Sequence, residues 1–252
     1  MRVAAVVVSH GDAADVDRLL PVLGPQVDEL VVVANVPGSV GLVPEGVTLI
    51  ANETPLGFGA NVNRGVAATS AELVCSVNPD AVPRDGAIGA LRRFLEQSPR
   101  AAVAGPAMLY PDGTVQPSRR RFPTVLGTLV RRTPIRLVFD PYRLQRRHYH
   151  LGEHPTEPVE ADWMLGGFLM LRRAALDELG GFDEGFFLYG EDIDLCYRAW
   201  RSGWSCWYVP AAVVEHEHQA VTDRKLLTRR TLWHWRGILR FVRKHPERLL
   251  AR

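Results

Sequence analysis

The first 109 residues alternate short apolar segments with segments of helical periodicity, and no other feature restricts the fold as strongly. The apolar segments are rich in Val, Ile and Leu and lie at residues 2–9, 28–35, 47–52, 71–78 and 101–109. Helices are predicted from near Asp12 and over 59–70 and 85–98. Continuous apolar strands separated by helices form parallel sheets that are covered on both faces. The sequence therefore predicts an α/β fold with a mostly parallel central sheet and helices on both faces.

The second half of the chain has a less regular pattern. Pro111, Asp112 and Gly113 have turn chemistry, which predicts a small hairpin or loop over 109–124. We expect a helix at 174–180, a strand over 204–210 that ends at Pro210, and an extended run over 211–218. The tail over 224–250 has helical periodicity, whereas 125–158 is rich in arginine and punctuated by proline, and we assign it no structure.

Length and composition are those of an ordinary soluble globular protein, with 252 residues and 46% hydrophobic content. The first apolar run is too short for a signal peptide, and no segment has the ~20 apolar residues that cross a bilayer. Cys75, Cys196 and Cys206 lack metal-ligand spacing, so we expect buried, reduced thiols. These features together predict a cytoplasmic protein.

Charge is distributed unevenly along the chain. Residues 117–148 hold nine arginines and one acid, and 224–252 hold ten basic residues and one acid, which leaves 11 basic and 26 acidic residues elsewhere. This pattern indicates a polyanionic partner or membrane surface near the basic regions, or else two solvated helix faces. The tail interleaves Trp233, Trp235 and Phe241 with arginines, as in helices that lie on anionic membranes, although packing on the domain or on a partner subunit would explain it equally. No nucleic-acid motif accompanies the basic residues, so no nucleic-acid partner is expected.

Polar side chains follow four of the predicted strands. The strand ends read Ser9-His10, Ala34-Asn35, Asn52-Glu53 and Asn78-Pro79-Asp80. In open parallel sheets, ligands bind outside the carboxyl ends of the strands, although strands also end in polar loops without any ligand. Pro79 cannot donate to a sheet ladder, so the fourth strand should end at Asn78 and leave Asp80 at its tip.

A glycine-rich segment, "PLGFGANVNRG" at 55–65, opens a predicted helix. It indicates an anion or nucleotide site at a helix N-terminus, or a plain turn and cap. It does not match the dinucleotide fingerprint, because the third glycine would fall at Val62.

Two further groups of residues could carry chemistry. Glu191, Asp192 and Asp194 open a predicted helix, where one carboxylate could act as a general base or all three could serve as an N-terminal cap. His216 and His218 lie two residues apart in an extended run. One of them could join Asp80 on a divalent cation, or could be a structural histidine.

Taken together, these motifs resemble inverting glycosyltransferases of family 2, which have the GT-A fold, and most of all the bacterial rhamnosyltransferase-like branch acting on lipid-linked or cell-wall glycans. The matching segments run in order over roughly 3–218 and are "VVVSHGD", "LGFGANVNRG", "NPDAVPRDGAI", "GPAMLYPDGTVQPSRRRFPT", "ADWMLGGFLMLRRAALDELGGFDEGFFLYGEDIDLCYRAWRSGW" and "VPAAVVEHEH". The chain departs from the family pattern at Ala34 and at Asn78, each of which replaces an acid, and at His10-Gly11.

The resemblance implies a role for each matching residue. Asp192 corresponds to the catalytic base and forms a pair with Glu191, Trp163 lies near the acceptor, and Asp80 and His216 match metal-binding positions. Residues that match the nucleotide-sugar site are Ser9, Asn35, Gly57, Asn63, Asn78, Asp80, Gly166 and Gly167. The metal would be Mg²⁺ or Mn²⁺, with one acid fewer than the family's Asp-x-Asp signature because Asn78 stands at the first position.

The resemblance also implies partners and a domain organisation. We expect a GT-A domain over 1–222, with a nucleotide-sugar-binding half at 1–105 and an acceptor and catalytic half at 106–222, followed by a basic amphipathic C-terminal helix at 223–252. The donor would be a nucleotide-diphosphate sugar, such as a rhamnose or another deoxysugar. The acceptor would be a hydroxyl of a glycan, a polyprenyl-linked lipid or a small-molecule natural product.

Further expectations concern location and assembly. We expect residues 224–250 to contact the inner face of the plasma membrane peripherally, and we expect the protein to form a homodimer. Two alternatives stay open, a non-catalytic GT-A scaffold that binds sugar nucleotides and a nucleotidyltransferase.

Overall fold

The computed structural model describes residues 1–11, 13–123, 146–217 and 229–249. Its strands are β1 (Val3–Ser9), β2 (Glu29–Ala34), β3 (Val47–Ala51), β4 (Leu73–Val77), β5 (Ala81–Pro83), β6 (Ala101–Leu109), β7 (Val115–Gln116), β8 (Arg119–Arg120), β9 (Val159–Ala161), β10 (Trp163–Met164), β11 (Phe168–Arg172) and β12 (Ser205–His216). Its helices are α1 (Ala13–Leu23), α2 (Phe58–Ala67), α3 (Ala87–Gln97), α4 (Arg173–Leu179), α5 (Glu191–Arg201) and α6 (Arg229–Lys244).

The main sheet has the strand order β3-β2-β1-β4-β11-β6-β12-β5. The first four strands pair in parallel, as their continuous apolar sequences predict. β11 is inserted between β4 and β6 and runs antiparallel to both, and β5 runs antiparallel to β12. The prediction of a mostly parallel central sheet is confirmed, with β11 and β5 as the antiparallel strands of this path.

Each face of the sheet carries its own hydrophobic core. One core packs α1 and α3 against alternate residues of the strands, such as Val7 on β1 and Met170 on β11. The other packs α2, α4 and α5 against the intervening residues, such as Val6 and Leu171. This alternation follows from the period-2 geometry of a strand buried on both sides. Helices therefore cover both faces of the sheet, as predicted.

Several local predictions can be compared with the structure. The turn at 111–113 joins β6 and β7 as an antiparallel pair, which confirms the hairpin. The predicted strand end at Pro210 is wrong, because β12 continues to His216 and its register with β6 shifts between Val209 and Val213. That irregularity places Pro210 where no ladder hydrogen bond is required. Asp12 and residues 124–145 lie outside the described residues, and the latter include 125–145 of the segment that we left unassigned.

The C-terminal helix α6 packs directly on the rest of the chain. Phe241 is buried in the second core, and the ring of Trp233 lies 4.8 Å from that of Phe187. Gly237 approaches the backbone at Tyr189 so closely that an added Cβ would lie 2.1 Å from the Tyr189 carbonyl oxygen. A domain boundary between residues 222 and 223 falls outside the described residues and stays a prediction. In the described part of the chain, no helix has the length and apolar character needed to span a bilayer.

Candidate active site

The tip of β4 forms a tight turn that displays Asp80. The Asn78 N–H donates to the Gly167 carbonyl at 2.9 Å, and the Ala81 N–H donates to the Asn78 carbonyl at 3.0 Å. Pro79 ends the strand as predicted, and β5 begins at Ala81. The Asp80 side chain keeps 28% of its surface exposed, and its Oδ1 lies 3.4 Å from Nε2 of His216.

His216 is the last residue of β12 and pairs in register with Ala81 of β5. Its side chain is buried, and its Nδ1 lies 2.8 Å from Oε1 of the Gln116 carboxamide. With the Gln116 carboxamide in this orientation, its oxygen accepts from the His216 Nδ1–H, and Nε2 of His216 faces Asp80. The structure thus brings together Asp80 and His216, which are 136 positions apart in the sequence.

Asp192 lies in the first turn of α5 and is buried. Its Oδ1 accepts the Ile193 N–H at 2.8 Å, and its Oδ2 accepts the Gly166 N–H at 3.1 Å. Burial raises the pKa of Asp192 above its ordinary value, while the Ile193 N–H, the charge of Arg120 and the Gly166 N–H act in the opposite direction. A carboxylate held in this way is fixed in orientation and has a raised basicity, as a general base requires.

Glu191 is also buried but has a different environment. Its Oε2 has no hydrogen-bond partner among the described residues. Burial, followed by the neighbouring charge of Asp192, raises the pKa of Glu191 to about 8. Burial and the charge of Asp192 therefore favour the protonated form of Glu191, whereas the two backbone N–H groups that Asp192 accepts favour its charged form.

Gly166 and Gly167 lie between Asp192 and His216. A Cβ on Gly166 would lie 3.3 Å from Asp192 Oδ2, and a Cβ on Gly167 would lie 3.1 Å from the His216 ring. The Gly167 carbonyl also accepts the Asn78 N–H. The absence of side chains at both positions lets one short turn contact the carboxylate of α5 and the tips of β4 and β12 together.

Asp194, the third acid of the sequence cluster, has a structural position instead. It is fully buried and contacts Arg198 at 2.7 Å, His245 at 2.8 Å and Lys244 at 2.9 Å. Lys244 also pairs with Asp183 at 2.7 Å. Asp194 therefore attaches the end of α6 to α5 and does not join Asp192 in the candidate site.

A buried network of asparagines lies at the carboxyl ends of β2 and β3. The Asn52 carboxamide donates to Oδ1 of Asn35 at 2.9 Å and to Oδ1 of Asn61 at 2.6 Å. Asn35 exchanges hydrogen bonds with the backbone of Leu56 at 2.8 and 3.0 Å. The network holds the loop before α2 over the ends of β2 and β3, where the sequence predicts nucleotide binding.

Three other predicted donor-site residues have contacts within the protein. The Ser9 hydroxyl donates to the Ser39 carbonyl at 2.6 Å. Asn63 bonds the backbone of Phe182 in both directions at 2.9 Å and therefore braces the segment before α5. Gly57 approaches that same segment, because its added Cβ would lie 2.5 Å from the Phe186 carbonyl oxygen. Roles of Ser9, Asn63 and Gly57 in nucleotide binding stay predictions.

The predicted acceptor residue Trp163 lies on β10, which pairs with β8. Its indole is buried and donates to the Arg121 carbonyl at 2.8 Å. The guanidinium carbon of Arg120 lies 5.1 Å from the Trp163 ring centroid and 4.9 Å from that of Tyr149. The Trp163 ring thus packs beside Arg120. In the sequence, Trp163 precedes by three residues Gly166, whose N–H binds Asp192.

Sequence reasoning did not identify Gln116, Arg120 or Asn61. A lone glutamine next to Pro117 carries no signal in a single sequence, because only the fold brings it to His216. Arg120 belongs to a run of three arginines, and their charge alone does not distinguish one from another. His218, the other predicted metal ligand, lies outside the described residues, and within the described ranges no group of three or more His, Cys, Asp or Glu side chains could hold a metal ion.

The strand order of the sheet is that of the GT-A fold, and a carboxylate and a histidine lie at its strand ends. Comparison with solved structures supports this fold. The structure of GalNAc-T7 with UDP, GalNAc and Mn²⁺ superposes with a TM-score of 0.65 at 17% identity, over 100% of this chain and 52% of that one. The mannosyltransferase PcManGT from Pyrobaculum calidifontis, in complex with GDP-Man and Mn²⁺, gives a TM-score of 0.56 at 16% identity, over 98% of this chain and 72% of that one. At these identities, the similarity establishes the fold.

The chain belongs to the glycosyltransferase-like family 2, because the model of that family matches residues 32–234. The N-acetylglucosaminyl-diphospho-decaprenol L-rhamnosyltransferase of Mycobacterium tuberculosis is 34% identical over 197 residues, which cover 71% of this chain. The chain spans 61% of the length of that relative. The predicted membership of family 2 and the rhamnosyltransferase-like resemblance are confirmed.

Proposed function

We propose that the chain is an inverting glycosyltransferase that moves a sugar from a nucleotide-diphosphate donor to an acceptor hydroxyl. The observation that carries the proposal is the buried carboxylate of Asp192, fixed by two backbone N–H groups and joined through the Gly166–Gly167 turn to the tip of β4. The proposed base, Asp192, and the proposed diphosphate site at the tip of β4 both contact this short turn, which supports the proposal. Family membership and the relatives' names support the same activity.

In the proposed reaction, Asp192 takes the proton of the acceptor hydroxyl as that oxygen bonds to the anomeric carbon of the donor sugar. The bond between the anomeric carbon and the diphosphate oxygen breaks on the opposite face, so the configuration inverts and a nucleoside diphosphate leaves. Because the backbone N–H groups of Ile193 and Gly166 hold the carboxylate, it does not need to reorient during the reaction. Protonated Glu191 avoids placing a second negative charge beside the base.

The residues at the strand ends are chemically suited to a divalent cation. Asp80 and His216 supply one carboxylate oxygen and one imidazole nitrogen, 3.4 Å apart, and Gln116 orients the imidazole. Mg²⁺ commonly uses one or two carboxylates and completes its coordination with substrate phosphates and water, so a third protein ligand is not required. When bound, Mg²⁺ or Mn²⁺ would neutralise charge on the donor diphosphate.

For the substrates, we propose a deoxysugar donor such as a deoxythymidine-diphosphate-linked rhamnose and a lipid-linked glycan acceptor. The support is the rhamnosyltransferase relative, whose name gives L-rhamnose and a diphospho-decaprenol acceptor. A small-molecule acceptor is the alternative. The proposed location is the cytoplasm, at the inner face of the plasma membrane, and the homodimer stays a prediction.

A thermal-shift panel of UDP-, dTDP- and GDP-sugars, with and without Mn²⁺, tests the proposed donor and metal together. A donor present at 100 times its dissociation constant stabilises the folded state by about 2.7 kcal/mol. We expect one nucleotide to stabilise the protein selectively and Mn²⁺ to increase the shift. If no nucleotide-sugar raises the melting temperature at millimolar concentration, the proposed donor class is wrong.

The outer face of α6 supports the proposed membrane contact. Leu232 and Leu239 are 61% and 51% exposed, and Arg236 and Arg243 are exposed beside them at helical spacing. Exposed leucines on such a helix can insert into the headgroup region, and the arginines between them can attract anionic lipids.

Co-sedimentation with phosphatidylglycerol vesicles should fall for the double variant L232Q/L239Q. The control L42Q removes an exposed leucine elsewhere, and equal binding by all three proteins would refute the contact.

A further inference from the structure

We propose that Arg120, clamped between Tyr149 and Trp163, binds the diphosphate of the acceptor and so selects acceptors that carry this group. The inference rests on the proposed function and extends it, because it assigns the residue that recognises the anionic part of a lipid-linked acceptor. Neither the sequence motifs nor the comparisons assign Arg120 a role.

The position of Arg120 is fixed from three sides. It is the residue of β8 that pairs with Trp163 of β10, and its guanidinium carbon lies within about 5 Å of the Trp163 and Tyr149 ring centroids, at 5.1 and 4.9 Å. Its Nε donates to the Pro117 carbonyl at 3.0 Å. An arginine stacked on aromatic rings has its planar set of donors restricted in orientation, which reduces the entropy lost on binding a ligand.

The outer edge of this guanidinium has unused donors. Among the described residues, no carboxylate forms an ion pair with Arg120, and neither of its terminal nitrogens donates a hydrogen bond. The adjacent Arg119, in contrast, pairs with Glu153. Arg120 as a whole is half-buried beside the two rings. Two terminal nitrogens in a fixed plane match the spacing of phosphate oxygens, and arginine binds phosphates in this bidentate way.

Arg120 stacks on Trp163, the predicted acceptor residue, which precedes by three residues the Gly166 N–H that binds Asp192. Its charge acts on Asp192, whose two oxygens are already occupied by backbone N–H groups. A cation beside the base lowers its basicity, and this cost makes sense if the cation also holds the substrate that the base deprotonates. The candidate donor-diphosphate residues, Asp80 and His216, lie on the Gly167 side instead.

Direct binding of geranyl diphosphate to the full chain tests the assignment without requiring glycosyl transfer. Calorimetric titrations would compare the wild type with R120Q, R120K and R119Q. R119Q is the matched control, because it removes an identical charge one residue away. We expect R120Q to weaken binding by about 10- to 100-fold, as for a lost charge-assisted hydrogen bond, and R119Q to change it less than about threefold. R120K should recover only part of the affinity, because lysine cannot bind in a bidentate way.

A second titration with the nucleoside diphosphate chosen by the thermal-shift panel identifies which substrate supplies the diphosphate. We expect R120Q to bind this nucleotide as the wild type does. The inference is overturned if R120Q binds geranyl diphosphate as tightly as the wild type, if the wild type does not bind it, or if R120Q loses nucleotide affinity to the same extent. If geranyl diphosphate binds through Arg120 but no sugar is transferred, the proposed function fails, whereas diphosphate binding by Arg120 stands as measured.

Discussion

Replacing Asp194 with asparagine tests whether the acid cluster at 191–194 is divided between chemistry and structure. The substitution keeps the shape of the side chain but removes its charge. Arg198, Lys244 and His245 then lose the carboxylate that they share at 2.7–2.9 Å in a fully buried position. Removing one partner of a buried ion pair costs about 3–5 kcal/mol, because the remaining charges are left uncompensated.

The expected loss for D194N lies at the lower end of this range. Lys244 keeps Asp183 at 2.7 Å, and Arg198 keeps the carbonyls of Leu179 and Gly181 at 2.7 and 2.8 Å. We therefore expect the free energy of unfolding to fall by about 3 kcal/mol, which corresponds to about 6–12 °C in melting temperature for a chain of this size.

Urea denaturation of D194N, followed by tryptophan fluorescence, measures the loss. Two of the six tryptophans, Trp233 and Trp235, lie on α6, so the fluorescence includes a signal from that helix. The control D17N removes an exposed carboxylate and should stay within about 0.5 kcal/mol of the wild type. If D194N is as stable as D17N, Asp194 does not hold α6 on the domain, and its burial needs another explanation.

Three further predictions follow from the site. Protonation of Glu191 should stabilise the folded state, because the folded state binds this proton more tightly than the unfolded state does. This contribution to the free energy of unfolding is fully present below pH 4.5 and is lost as the pH rises through about 8. E191Q should flatten this slope in denaturation curves taken from pH 5.5 to 8.5, and an unchanged slope would contradict the assignment. Q116L should weaken Mn²⁺ binding about 10- to 100-fold in calorimetry by releasing the orientation of His216, whereas wild-type affinity would exclude that role. Chelation by EDTA should lower the thermal shift produced by the donor nucleotide, and H216A should show the same reduced shift even with Mn²⁺ present; a full shift in either case would remove the metal from the site.

The fold was largely predictable from the sequence because its strands are buried on both faces. β1, β2 and β4 are continuous apolar runs, and this composition is typical of parallel strands. The place of β11 was not predictable, because nothing local in Phe168–Arg172 indicates that the strand enters between β4 and β6. The continuation of β12 beyond Pro210 depends on a register shift against β6, which is likewise a tertiary feature.

Local sequence patterns predicted only the residue types of the candidate site, and the family resemblance was needed to select Asp192 from the acid cluster. Asp192 and Asp194 are two residues apart and chemically identical, and only long-range contacts separate their roles: Asp192 binds Gly166, 26 positions away, and Asp194 binds Lys244, 50 positions away. Likewise, Asn61 and Asn63 lie on the same helix, but Asn61 joins the asparagine network while Asn63 binds the Phe182 backbone. Local propensity carries no information on such long-range partners, so a single sequence leaves these assignments open.

The central claim, that Asp192 is the base of a glycosyl transfer, is tested most directly by the turnover of D192N with the donor that the thermal-shift panel selects. General-base catalysis contributes about 10²–10⁴-fold, so we predict a loss of that size. Donor binding should be retained, and the free energy of unfolding of D192N is measured alongside, because an Asn carboxamide can accept only one of the two backbone N–H groups that Asp192 accepts. Turnover of D192N close to that of the wild type would contradict the account.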